Sequence, residues 1–349
     1  MKLLRSSVLL TSLCLLISCM DSEEQKILIL EAKLVDSSLS RLRVFSVHQN
    51  KAAIIEAQNL QQVVSDFLTT ADDEHLQKVQ SAWQASHNKY LQSHYGLFVP
   101  SDERKDLIFA IESWPIQPGF IDSLPDYPES GIVNDTTLSI DLSTLRQQHG
   151  ITDREEVCLG YHAIEFLIFD RSIEHFNVQT KQENLADQSS IERRRLLLQL
   201  LADELVNNLS QSALLMDQQF SAEADFTGQD KIYHFLSSAA AYLQGVQRES
   251  SLLFDLNAGH GHYSKTSFNA LAIELTALEA FFLRDVDFMP ILMAIDLTTS
   301  ANFKKTLLDA VALIRDPEAG EAEFAKLPLM ISALGHQLEN FESILGRNL

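Results

Sequence analysis

From Glu24 onward, apolar residues recur at intervals of three and four, the spacing of one buried helical face rather than the alternation of a strand. This pattern predicts helices over 24–48, 52–69, 74–96, 103–113, 154–169, 191–220, 230–253, 264–283, 301–314 and 318–345. Thr70-Ala71-Asp72-Asp73 supplies capping oxygens and first-turn acids for the third of these. No segment rich in β-branched residues competes, so the fold class is all-α. Two stretches break the pattern. Residues 114–128 hold four prolines and predict a long ordered loop or an excursion beside the helices, a kind of loop that often carries function and otherwise covers a core. Residues 180–190 are polar and divide the helices into an N-terminal half, 19–185, and a C-terminal half, 186–349.

The first eighteen residues do not belong to that pattern. Lys2 and Arg5 precede an apolar run over 8–17, about half of what a transmembrane helix needs, and the run ends in Leu16-Ile17-Ser18-Cys19. This reads as a signal peptide, and its last four residues resemble the bacterial lipobox, which makes Cys19 the expected lipidation site. A cleaved signal with an incidental cysteine is the alternative. Acyl chains contribute about 0.8 kcal/mol per buried methylene, enough to hold the protein at a bilayer without a spanning helix. Met20 rather than an acid follows Cys19, so a Gram-negative sorting signal would send the chain to the outer membrane, facing the periplasm.

With Cys14 removed and Cys19 lipidated, Cys158 is the remaining thiol, and stability must come from the core rather than a staple. Removing residues 1–18 takes two cations and no acid, moving the formal charge from −21 to −23. Such a surface excludes nucleic acid as a partner and repels anionic headgroups, leaving the lipid as the membrane attachment.

Candidate chemistry lies in Gly160-Tyr161-His162-Ala163-Ile164-Glu165, within a strongly apolar helix. His162 and Glu165 are one turn apart on one face, a spacing at which an imidazole and a carboxylate can hold one metal ion; the same spacing also occurs as a hydrogen-bonded pair without a ligand. Gly160 removes a side chain beside them and admits another backbone or a ligand. His260-Gly261-His262 reads as a chance pair in a polar loop. Trp83, Tyr90, Tyr95 and Phe98 read as core, and Cys158 as a buried inert thiol.

The Gly160-x-His162-x-x-Glu165 sequence, with Phe166 and Leu167 after it, resembles the signature of the imelysin family. Further similarity lies in Ala82-Trp83 with Tyr90, Ile111-Glu112-Ser113-Trp114-Pro115, Arg193-Arg194-Arg195, and His262-Tyr263-Ser264 ahead of Ser267 and Leu271. The resemblance implies two helical-bundle halves with a site between them, an exported or lipid-anchored location, and association with iron uptake. It makes His162 and Glu165 the functional pair and Glu112 a further oxygen donor, with Gly160 and Trp114 lining a cofactor. Two departures stand out: His87 where many members carry arginine, and His94 where they carry glutamate. The first removes a fixed cation; the second keeps a metal-capable group.

The expected metal set is therefore His162, Glu165, Glu112 and His94, suited to iron, zinc or copper. The expected function is capture of a transition metal ion or an iron complex, in concert with a protein of an uptake system. A metal-dependent peptidase is the alternative that the family's history raises, although the chain lacks a His-Glu-x-x-His sequence. A helical interaction protein without a metal is another.

Overall fold

The computed structural model describes residues 28–93, 102–177, 185–221, 227–255 and 259–346. Cys19 and His94 lie outside them, as do the signal and lipobox residues. The described chain is all-α. In order, the helices are α1 Ala32–Thr69, α2 Asp73–Ser93, α3 Asp102–Ile111, α4 Leu142–Gln148, α5 Gly160–Glu165, α6 Leu185–Ser221, α7 Gly228–Ser251, α8 Ser267–Ala280, α9 Met289–Ile295, α10 Leu297–Ile314, α11 Glu321–Phe324 and α12 Leu327–Gly346. Both α5 and α8 run on into one turn of π-helix, over Phe166–Asp170 and Phe281–Asp285. Among the described residues, no helix is long and apolar enough to cross a membrane.

Where two helices were expected over 24–48 and 52–69, α1 is continuous. Its buried positions, from Val35 through Leu42, Ser46, Asn50, Ala53 and Ala57 to Phe67, keep the three-and-four spacing without a break. The polar Gln49-Asn50-Lys51 contains neither glycine nor proline, and Asn50 is buried, its side-chain amide donating to Met216 Sδ at 3.3 Å. The expected helix over 154–169 begins only at Gly160. Before it, the Glu156 carboxylate accepts from Thr152 N at 2.7 Å, and the Cys158 amide donates to His149 Nδ1 at 3.3 Å, which holds the chain in turns. Val157, Cys158 and Leu159 are all buried, so their apolar run carries no helical periodicity to read. Likewise 318–345 is two helices, with a turn ahead of Leu327-Pro328.

Buried side chains gather in two clusters. One joins the start of α1 (Leu30, Val35, Leu42) to α7 through α12. The other joins the rest of α1 (Ala57, Leu60, Val64, Phe67) to α2, α5, α6 and the Pro-rich loop. At 38 residues and 1.5 Å per residue, α1 runs roughly 57 Å and serves both.

The loop is held by three consecutive arginines of α6. Arg193 donates to the carbonyls of Ile132, Val133 and Asp135 at 2.7–2.8 Å. Arg194 forms a two-pronged pair with buried Asp122 at 2.6 and 3.0 Å, and Arg195 reaches the carbonyls of Phe176 and Leu68. Ile121, Ile132 and Val133 are thereby buried in the second cluster.

A histidine and glutamate cluster between the two cores

Gly160 explains how α5 reaches its place. Its φ is +81°, a left-handed conformation that costs most residues, and a Cβ there would stand 2.3 Å from the Ile111 carbonyl oxygen and 2.6 Å from that of Ala110. The first residue of α5 is thus pressed on the last carbonyls of α3. That contact sets Glu112, the residue after α3, beside His162. Gly160 itself makes a backbone contact and is not among the residues lining the cavity described below.

Glu112 Oε1 sits at the centre of three imidazoles. It accepts from Nε2 of His87 at 2.9 Å, of His162 at 3.0 Å and of His260 at 2.7 Å. One ligand atom from each of these four residues lies within 4.8 Å of all the others. The histidine side chains are 2–3% exposed and that of Glu112 9%, so water screens the group little. The residues come from α2, the end of α3, α5 and the turn before α8. His87 is fixed by the Trp83 ring stacked on it at 4.8 Å, and Trp83 Nε1 in turn donates to the Tyr161 carbonyl at 2.8 Å.

Behind each of two imidazoles stands a carboxylate. Glu165 Oε2 meets His162 Nδ1 at 2.7 Å, while its Oε1 accepts from Ser264 N and Oγ at 2.8 and 2.7 Å. Glu249 Oε1 meets His260 Nδ1 at 2.8 Å. Glu249 is hydrogen-bonded to Glu274, whose Oε1 accepts from Tyr242 Oη at 2.6 Å. Carboxylates placed so fix ring orientation and raise the basicity of the imidazole nitrogen in front.

The charges follow from burial and neighbours. Burial pushes the Glu112 carboxyl up, but His87 and His162 and the bonds from His162 and His260 outweigh it and hold it well below the usual carboxylate range. Burial pushes every imidazole down. At His162 the Glu112 charge wins and the pKa is raised; at His260 Glu249 and Glu112 raise it well above the ordinary value; at His87 burial wins and the ring is neutral. Burial and the Glu249 charge drive Glu274 well up, so it keeps its proton, while Glu249 and Glu165 remain ionised, burial being outweighed by their histidines.

The group fits a metal ion. Three imidazole nitrogens and a carboxylate are a donor set for a borderline divalent ion. Among the described residues Glu112 Oε2 has no hydrogen-bond partner although it is buried, an acceptor that an ion would satisfy. Of the expected set, the structure brings together His162 and Glu112. Glu165 is outside the four and stands behind His162, and His94 lies outside the described residues. Trp114 is adjacent, its ring 5.1 Å from that of His260.

Two members escaped the sequence reading. His87 was noted only as a lost arginine, although it falls one turn after Trp83 on the buried face of α2. His260, which the sequence places in a polar loop, is 2% exposed, whereas His262 meets the Tyr263 ring edge-on outside the cluster. Cys158 is inert as expected: burial pushes its thiol up to about 12.

The family description headed Imelysin matches residues 48–329, a span that contains all four clustered residues. A candidate iron-regulated protein A precursor from Parabacteroides distasonis superposes with a TM-score of 0.59 at 12% identity, over 91% of this chain and 94% of that one. An imelysin-like protein from Psychrobacter arcticum gives 0.58 at 15%, over 91% and 98%. At these identities the likeness is one of fold. No curated protein matches the chain.

Proposed function

From the premise that this chain belongs to the imelysin family, we propose that it is an exported, lipid-anchored protein that binds a transition metal ion through His87, Glu112, His162 and His260 and serves iron uptake. The observation that carries the metal is Glu112: one oxygen shared by three imidazoles, the other buried and unpartnered. The iron association draws support from the name of the Parabacteroides distasonis protein, and the anchor from Cys19 in its lipobox. We place the protein at the outer membrane facing the periplasm, working with a protein of an uptake system. Iron(II), zinc and copper(II) all suit the donor set. The binding reading is favoured over a peptidase because Glu165 and Glu249 are each engaged behind an imidazole, which leaves neither free as a general base.

The test is metal content by plasma mass spectrometry after loading with iron(II), zinc and copper(II) in turn. Wild type should keep close to one ion per chain, and Glu112→Gln and His260→Ala should lose it while melting cooperatively. Wild type that retains nothing would make the cluster a polar layer between the cores. Cys19→Ser should move the protein from the membrane to the soluble fraction.

A further inference from the structure

The metal cluster has a vestibule. Glu112 and His260 form part of the wall of a cavity of about 820 Å³, which also takes in Trp114, Arg154 and Arg248. At roughly 30 Å³ per water, the solvent ligands that would complete an ion's shell fill a small part of that volume. Its size is that of a pocket for an organic molecule.

Two guanidiniums mark its mouth. Arg248 lies over the Trp114 ring at 5.1 Å, and Arg154 over the Phe109 ring at 4.8 Å. Both are exposed, and among the described residues neither makes an ion pair, although Asp153 and Glu155 stand at the same rim. A guanidinium held over an aromatic face has its side chain already ordered, and its N–H groups suit the planar fork of a carboxylate. Trp114 neighbours both Arg248 and His260, with Arg248 5.1 Å from its ring and the His260 ring also 5.1 Å from it, so a short molecule can touch both an arginine and the ion.

We propose that this cavity takes a small polycarboxylate chelator, one carboxylate on Arg154 and Arg248 and another on the metal, so that the cargo is a metal–carboxylate complex and not a bare ion. The inference rests on the metal site above. The ordered guanidiniums give the reason for the charge: among the described residues neither has an ion-pair partner, and a carboxylate would supply one.

The experiment is equilibrium dialysis of the protein with labelled zinc and labelled citrate, separately and together, beside an Arg154→Gln/Arg248→Gln variant. Wild type should keep zinc alone, citrate only with zinc, and both at close to one per chain. The variant should keep zinc as well as wild type but bind citrate at least tenfold more weakly, with an unchanged melting temperature because both side chains are exposed. Zinc held with no citrate beside it when both are supplied, or citrate held equally by the variant, overturns the co-ligand and leaves the metal site standing. Zinc lost by wild type overturns both.

Discussion

Loading the site should release protons, and their number follows from the geometry. In the metal-free cluster Glu112, Glu165 and Glu249 are ionised, Glu274 holds its proton, His87 is neutral, and His162 and His260 are cationic. An ion requires lone pairs on all three imidazoles. His162 and His260 each give up a proton, whereas His87 only moves its own to the other nitrogen, so one divalent ion displaces about two protons with no net change of charge. Both pKa values are raised above the ordinary 6.5, so both protons are in place well below pH 6.5 and leave as the pH rises through the folded values. Affinity must therefore strengthen with pH. Below pH 6.5 it should approach about 100-fold per unit, equivalent to about 2.7 kcal/mol, and level off once the folded values are passed. Calorimetric zinc titrations at pH 5.5 in buffers of different ionisation enthalpy count the protons directly, and competition with a chelator at pH 5 and 6 gives the slope. Release of less than about one proton per ion, or an affinity flat across this interval, would refute the charge assignment.

Three further outcomes separate the roles of the surrounding residues. Glu165→Gln removes a charge behind His162 but no donor, so zinc affinity should fall roughly 10- to 100-fold by chelator competition, where Glu112→Gln abolishes binding. Gly160→Ala should destabilise the fold by about 3 kcal/mol or more in urea unfolding, since both the left-handed φ and the Ile111 carbonyl oppose a methyl group; an unchanged midpoint would remove Gly160 from the account. Glu274 carries a raised pKa, so its stabilising contribution is present below the unfolded value of 4.5 and declines as pH rises toward the folded one. Glu274→Gln keeps a neutral group between Tyr242 and Glu249, and its melting temperature relative to wild type should climb from pH 5 to pH 8.

Periodicity read the long helices well because each hides one face. It failed where that condition fails. Over residues 157–159 the apolar run is wholly buried, so nothing told a turn from a helix, and the start of α5 is set instead by the α3 carbonyls that only Gly160 can meet. The polar Gln49-Asn50-Lys51 separates the two helices expected over 24–48 and 52–69, yet Asn50 is buried and its partner Met216 is 166 residues away. The candidate site shows the same division between local and distant information. His162 and Glu112 were legible through a family signature and its neighbours, and the triple arginine was singled out although its hold on the Pro-rich loop was not. Glu165, three residues from His162, looked like a second ligand, since spacing places two side chains on one face without saying which faces the ion. The answer lies in Ser264, 99 residues on, which takes Glu165 Oε1 and leaves its other oxygen to His162. His260 and His87 become ligand candidates only when α7, α8 and α2 are packed together, with 148 and 25 residues between them and Glu112. His87 stands beside Glu112 as a neutral donor, where the arginine implied by the family resemblance would be a fixed cation, and a neutral imidazole leaves room there for a metal ion's charge.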